Sequence, residues 1–123
     1  MITIGNLAGF AVACAVGGSA RFLVTRLVAQ RGQATFPLPT LIVNLSGAFL
    51  AGLFYTGVAG DAARLLLLIG FCGCYTTVST FALETVRLAR LGAPQSAALN
   101  VGLSLFGSLL AVVLGMNLGQ ALP

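Results

Sequence analysis

A chain of 123 residues that is 59% hydrophobic and 7% charged, with a mean hydropathy of +1.07, lacks the charged surface that a soluble domain of this size needs around its core. Six arginines, two acidic residues and no lysine leave a net charge of +4; the arginines sit at the ends of apolar runs, which reads as membrane flanks and sets nucleic acid aside as a partner. The lack of histidine removes imidazole metal sites and histidine-based acid–base catalysis together.

Charge-free runs extend over 1–20, 32–60, 65–83 and 91–123, each near or above the roughly 20 residues a helix needs to cross a bilayer. The runs are continuously apolar, without the period-two alternation of a strand barrel. The expected fold is therefore an all-α integral membrane protein of four transmembrane helices, forming one domain over residues 1–123. The spans are placed at Ile4 to Leu27, Leu38 to Val58, Leu65 to Arg87 and Pro94 to Leu118. Pro37 and Pro39, then Gly57, Gly60 and Asp61, then Gly92 and Pro94 mark the connections. The start Met1-Ile-Thr-Ile4 has no basic region and the apolar run behind it is long, so the first segment is expected to stay in the mature protein rather than to be a signal peptide. Loops one and three fall on one side, so Arg26, Arg31, Arg87 and Arg90 oppose Arg64 alone, which predicts cytoplasmic loops one and three and outward termini.

Polar groups at membrane depth are costly unless paired or lining a cavity, so their positions carry the functional signal. The first span has Gly17, Gly18 and Ser19 ahead of Arg21, which is either a flank anchor or an arginine that draws anions toward a vestibule. Cys14, Cys72 and Cys74 lie in apolar runs and read as small hydrophobes, and Cys72-x-Cys74 is a poor metal motif. In the second span Asn44 needs a partner, in a pore or across to another helix, while Gly47, Ala48, Ala51 and Gly52 suit close helix packing. The third span is the densest anomaly: Gly70-Phe-Cys-Gly-Cys-Tyr-Thr-Thr-Val-Ser-Thr-Phe81. Its glycines and hydroxyls allow a break in the helix whose freed carbonyls would suit a bare monovalent cation, or an unbroken helix whose hydroxyls bond back to it; the residues alone lean to the second. In the fourth span Asn100, Ser104 and Ser108 form a stripe at four-residue spacing with Gly107 beside them, which suits neighbouring helices or a narrow pore better than lipid.

Three motifs in order, Gly17-Gly-Ser-Ala-Arg21, Thr40-Leu-Ile-Val-Asn44-Leu-Ser-Gly47 and Gly70-Phe-Cys-Gly73-Cys-Tyr-Thr76-Thr-Val-Ser-Thr-Phe81, make the whole chain resemble the Fluc (CrcB) fluoride channels of bacterial cytoplasmic membranes. The resemblance implies a third helix broken near its middle, and an antiparallel dual-topology dimer with two fluoride pores. It also implies one structural sodium ion held by the carbonyls of Gly73 and Thr76. The chain has no internal inverted repeat, so an inverted partner would be a second copy or a paralogous subunit. By the same resemblance Arg21, Asn44, Ser79, Thr80, Phe81 and Ser108 belong to the pore, with hydroxyls, amides and a ring edge replacing the water of fluoride during passive export. Val78 departs from the family, which usually has a phenylalanine there; this leaves room for a partly degenerate or non-conducting subunit of a heterodimer. A small dual-topology multidrug or guanidinium exporter is a weaker alternative, because the first span carries no carboxylate and Glu84 reads as a flank ion pair with Arg87 at i, i+3. An enzyme is the weakest reading, because the membrane region lacks a paired carboxylate, a histidine-dependent nucleophile arrangement or a convincing metal site.

Overall fold

The structure, a computed structural model, describes residues 4–30 and 35–122, all of whose regular elements are helical. Met1 to Thr3 and Arg31, on which two of the sequence expectations rest, lie outside the described residues. Five helices make four spans: α1 (Ile4–Ala29), α2 (Leu38–Gly57), α3 (residues 61–75), α4 (Val78–Arg90) and α5 (Pro94–Ala121). The third span, Asp61–Arg90, is α3 followed by α4. All four spans are long and apolar enough to cross a membrane. The first, third and fourth spans end two or three residues past their expected positions, the second ends one residue short, and the third begins at Asp61 instead of Leu65. There Arg64 supports the added turn by donating to Asp61 Oδ1 at 3.3 Å and to the Val58 carbonyl at 3.1 Å, with its guanidinium 5.8 Å from the Tyr55 ring centre.

Local chemistry sets the turns. The turn after α4 is made at Gly92, whose φ of 78° suits glycine. The Ala93 amide there reaches the Leu88 carbonyl at 3.0 Å and the Gly92 amide reaches Ala89 at 3.3 Å, a Schellman closure that satisfies two helix-end carbonyls. Pro94 then opens α5 at a position where a missing amide costs nothing.

The spans associate as two parallel pairs. Between α2 and α5, a side chain on Gly52 would fall on the Val112 carbonyl, one on Gly115 on the Phe49 carbonyl, and one on Gly119 on the Thr56 hydroxyl. The backbones touch because only hydrogen stands between them, the usual route to helix association in lipid, where no hydrophobic force draws helices together. Thr56 adds a 2.9 Å hydrogen bond to the Met116 carbonyl. Between α1 and α3, Gly9 meets Leu66, Gly70 meets Ala13, and Gly17 meets the backbone of Phe71 and Tyr75. The outer surface is mainly apolar: Val12, Phe22, Leu83, Phe106 and Leu110 are all more than 60% exposed, which lipid tolerates and water does not. The only fully buried larger side chains among the described residues are Val43 and the amide Asn100.

Candidate functional site

The third span is broken, and its residues explain how. Residues Leu66–Cys72 form a π-helical stretch, followed by one α-turn, Gly73–Tyr75. The backbone then leaves the helix at Thr76 (ψ 164°) and Thr77 (φ −149°, ψ 121°) and re-enters it at Val78. The unbroken alternative that the residues alone favoured fails because side chains satisfy the backbone better than the helical ladder does here. Thr76 donates its hydroxyl back to the Cys72 carbonyl at 2.9 Å, closing α3. Thr77 caps α4, its hydroxyl oxygen accepting from the Thr80 amide at 3.3 Å.

Two neighbouring helices hold the two extended residues. From α2, Asn44 Nδ2 donates to the Thr77 carbonyl at 2.9 Å while its Oδ1 accepts from the Thr77 amide at 2.8 Å. This two-way clasp is the partner that an amide in the middle of an apolar span requires. From α1, Arg21 Nη1 donates to the Thr76 carbonyl at 3.3 Å. Two residues along α2, the Ser46 and Tyr75 hydroxyls pair at 2.8 Å, and the Tyr75 ring stacks on Phe71 at 5.6 Å.

The clasp has a second effect. The Thr77 amide would ordinarily donate to the Gly73 carbonyl four residues back; it donates to Asn44 instead, leaving that carbonyl without its helical donor at the negative end of a half-helix. Gly73 is exposed, and the nearest neighbour to a side chain there would be the Leu68 carbonyl at 3.9 Å. Gly73 and Thr76 share the wall of one groove.

The polar residues singled out from the sequence divide between two cavities that meet at the break. A groove of about 590 Å³ contains Asn44, Val78, Phe81, Ser104 and Ser108, together with Gly73 and Thr76. A smaller cavity of about 380 Å³ contains Arg21, Thr40, Ser79, Thr80 and Glu84. Thr77 lines both, so the clasped residue is the partition between them. The smaller cavity offers one guanidinium and several hydroxyls; the groove is mostly apolar, with an amide, two serines and an aromatic ring. Val78 is 80% exposed at the groove's edge and Phe81 is half-buried.

Several members of this constellation were not singled out as site residues. Thr77 is the centre of the break, and its signal was the Thr77-x-x-Thr80 spacing of a helix cap inside a span. Ser104 shares the groove with Ser108, and its hydroxyl is buried without a hydrogen-bond partner. Glu84 is not in an ion pair with Arg87; the ion pair among the described residues joins Arg64 to Asp61, and Glu84 Oε2 is buried and unpartnered beside the smaller cavity. Asn100 leaves the polar stripe of α5 and turns to α4, donating at 2.9 Å to the Thr85 hydroxyl, which in turn donates to the Phe81 carbonyl at 2.8 Å.

The family described as CrcB-like protein, Camphor Resistance (CrcB), matches residues 8–116. The chain is similar to a protein of Methylocella silvestris called fluoride-specific ion channel FluC, with 45% identity over 111 residues covering 85% of each chain. It is 44% identical over 126 residues to fluoride-specific ion channel FluC 2 of Rhodopseudomonas palustris, covering 97% of this chain and 96% of that one. It is 40% identical over 120 residues to fluoride-specific ion channel FluC of Neisseria meningitidis serogroup B, covering 96% of this chain and 98% of that one.

Proposed function

Because the chain belongs to the CrcB family, we propose that it is a subunit of a fluoride-specific ion channel that carries fluoride passively across the bacterial cytoplasmic membrane. One observation carries this reading: the Asn44–Thr77 clasp stands between a cavity holding Arg21, Ser79 and Thr80 and a groove holding Phe81 and Ser108. Fluoride is a small, strongly hydrated acceptor, so a path for it must offer donors in place of water without binding too tightly for the ion to leave. Arg21 draws the anion toward the smaller cavity, the Ser79 and Thr80 hydroxyls replace its water there, and Asn44, Ser108 and the Phe81 ring edge receive it on the groove side. The chemistry is transfer of an ion between donors down its gradient, with no covalent step. The exporter alternative is disfavoured because the first span carries no carboxylate; Glu84 lies on α4, at the smaller cavity beside hydroxyls.

The open groove, whose wall carries the exposed Gly73 and the polar side chains of Asn44, Ser104 and Ser108, favours a second subunit laid against this face rather than lipid, which under the proposed reading is an inverted copy forming an antiparallel dimer. In that assembly the Gly73 and Thr76 carbonyls would hold a sodium ion. The Gly73 carbonyl released by the clasp suits a hard monovalent cation, and the ion would supply a structural tie between the half-helices.

A second reading rests on charge. Arg26, Arg87 and Arg90 stand at one end of the bundle, whereas Arg64 at the other is paired with Asp61. Such a bias favours one orientation in the membrane and hence an oppositely oriented paralogous partner. Purified chain alone in liposomes, with potassium-driven efflux followed by fluoride and chloride electrodes, separates the readings. Fast fluoride efflux without chloride efflux establishes a self-sufficient channel. Folded protein without fluoride efflux rules that out and points to the paralogous partner.

A further inference from the structure

The spans contain three thiols, and two of them adjoin. α1 and α3 run in one direction with a close register, Gly9 against Leu66, Ala13 against Gly70 and Gly17 against Phe71 and Tyr75. Cys14 follows the second of these contacts on α1, and Cys74 precedes the third on α3. That register sets Cys14 and Cys74 beside the same stretch of the seam, both partly exposed and neither in a disulfide. Cys72 is buried and turns to the groove instead. We propose that Cys14 and Cys74 form a binding site for a soft, thiol-seeking d10 cation of the mercury(II) class, held between the two sulfurs.

Three features select that class. Sulfur ligands prefer soft ions, and hard cations keep to oxygen. No group of three or more histidine, cysteine or acidic side chains that could hold a metal ion occurs among the described residues, so four-coordinate zinc lacks ligands while an ion satisfied by two sulfurs does not. The site also lies within spans, which a neutral species such as mercury(II) chloride can enter and a hydrated ion cannot. The step balances without an oxidant: two S–H and two Hg–Cl bonds break, two Hg–S bonds form, and two protons and two chlorides leave. A bridge here ties α1 to the last turn of α3, just before Thr76, whose carbonyl α1 already holds through Arg21.

The test is retention of mercury by the purified chain. The protein takes up one equivalent of mercury(II) chloride, is challenged with a large excess of a small monothiol, and is weighed intact. Wild type and Cys72→Ala are expected to keep one mercury, because two sulfurs on adjacent helices act as a chelate. Cys14→Ser and Cys74→Ser are expected to lose it at least tenfold more readily, with Cys14→Ala and Cys74→Ala replacing any serine variant that is not monodisperse. Loss of mercury by wild type, retention by the Cys14 or Cys74 variants, or loss caused by Cys72→Ala overturns the proposal. The readout needs no ion flux, so its failure is separate from any failure of the fluoride reading.

Discussion

Replacing Asn44 by alanine removes both hydrogen bonds of the clasp and leaves the Thr77 amide and carbonyl without the partners that α2 supplies. Hydrogen bonds between membrane helices contribute about 0.6 kcal/mol on average, and protein hydrogen bonds in general about 0.5–1.5 kcal/mol. Two of them are thus worth about 1–3 kcal/mol to the local structure. The Thr77 amide reports this directly, since Asn44 Oδ1 is its acceptor. Opening the break by that amount speeds its exchange with solvent deuterium roughly 5- to 150-fold. The assay is native-state hydrogen exchange of protein in lipid nanodiscs, read at Thr77, with amides of the tightly packed α2–α5 pair near Gly52 as the internal reference. Faster exchange at Thr77 with an unchanged reference supports the clasp. Equal exchange in Asn44→Ala and wild type refutes it and means that Thr76 and Thr77 hold their extended backbone without α2.

Other perturbations follow from the same geometry. Gly115→Leu drives a side chain into the Phe49 carbonyl and the Leu53 amide of α2, so it should abolish monodisperse protein on size exclusion. Arg21→Gln retains a donor for the Thr76 carbonyl but removes the positive charge; fluoride efflux from liposomes should fall roughly tenfold, with a weaker dependence on ionic strength than in wild type. Val78→Phe adds a ring at the groove's edge, beside Phe81, so fluoride efflux from liposomes should rise above that of wild type.

Much of this was legible because lipid penalises each polar group that lacks a purpose. Asn44, Arg21 and the hydroxyls of 76–80 stood out against apolar surroundings, and the structure gathers them at one break. The break itself was not legible from the residues alone. Whether Thr77 donates to Gly73 along the helix or to Asn44 across it depends on an amide 33 positions away, and that choice separates a straight helix from a broken one. Glu84 shows the same gap. Its i, i+3 spacing to Arg87 was real, but spacing does not decide whether the carboxylate turns along its own helix or toward the cavity between α1 and α2. The resemblance implies Ser108 alone as a pore residue of the fourth span, yet Ser104 lines the same groove. The glycines carried the packing more plainly. Gly52, Gly115 and Gly119 are places where two backbones need contact, and their meaning appears once their partners are known.

The two glycine-joined pairs also show which part of the molecule is left free. α1 is closed against α3 and α2 against α5, in each case by backbone approach that admits no added side chain. α4 is different: Leu88 is its only buried residue, and its ties are the Thr77 cap, the Asn100–Thr85 hydrogen bond and its seat on α5. Its other side carries Val78, Leu83 and Val86 outward, next to Ser79 and Thr80 at the smaller cavity. A helix with so little burial of its own opens at low cost. Under the proposed reading the subunit that covers α4 therefore does more than enlarge the assembly: it fixes the position of the hydroxyls that replace fluoride's water. The donors and their scaffold then lie on different chains, and the selectivity of the path becomes a property of the dimer rather than of either subunit.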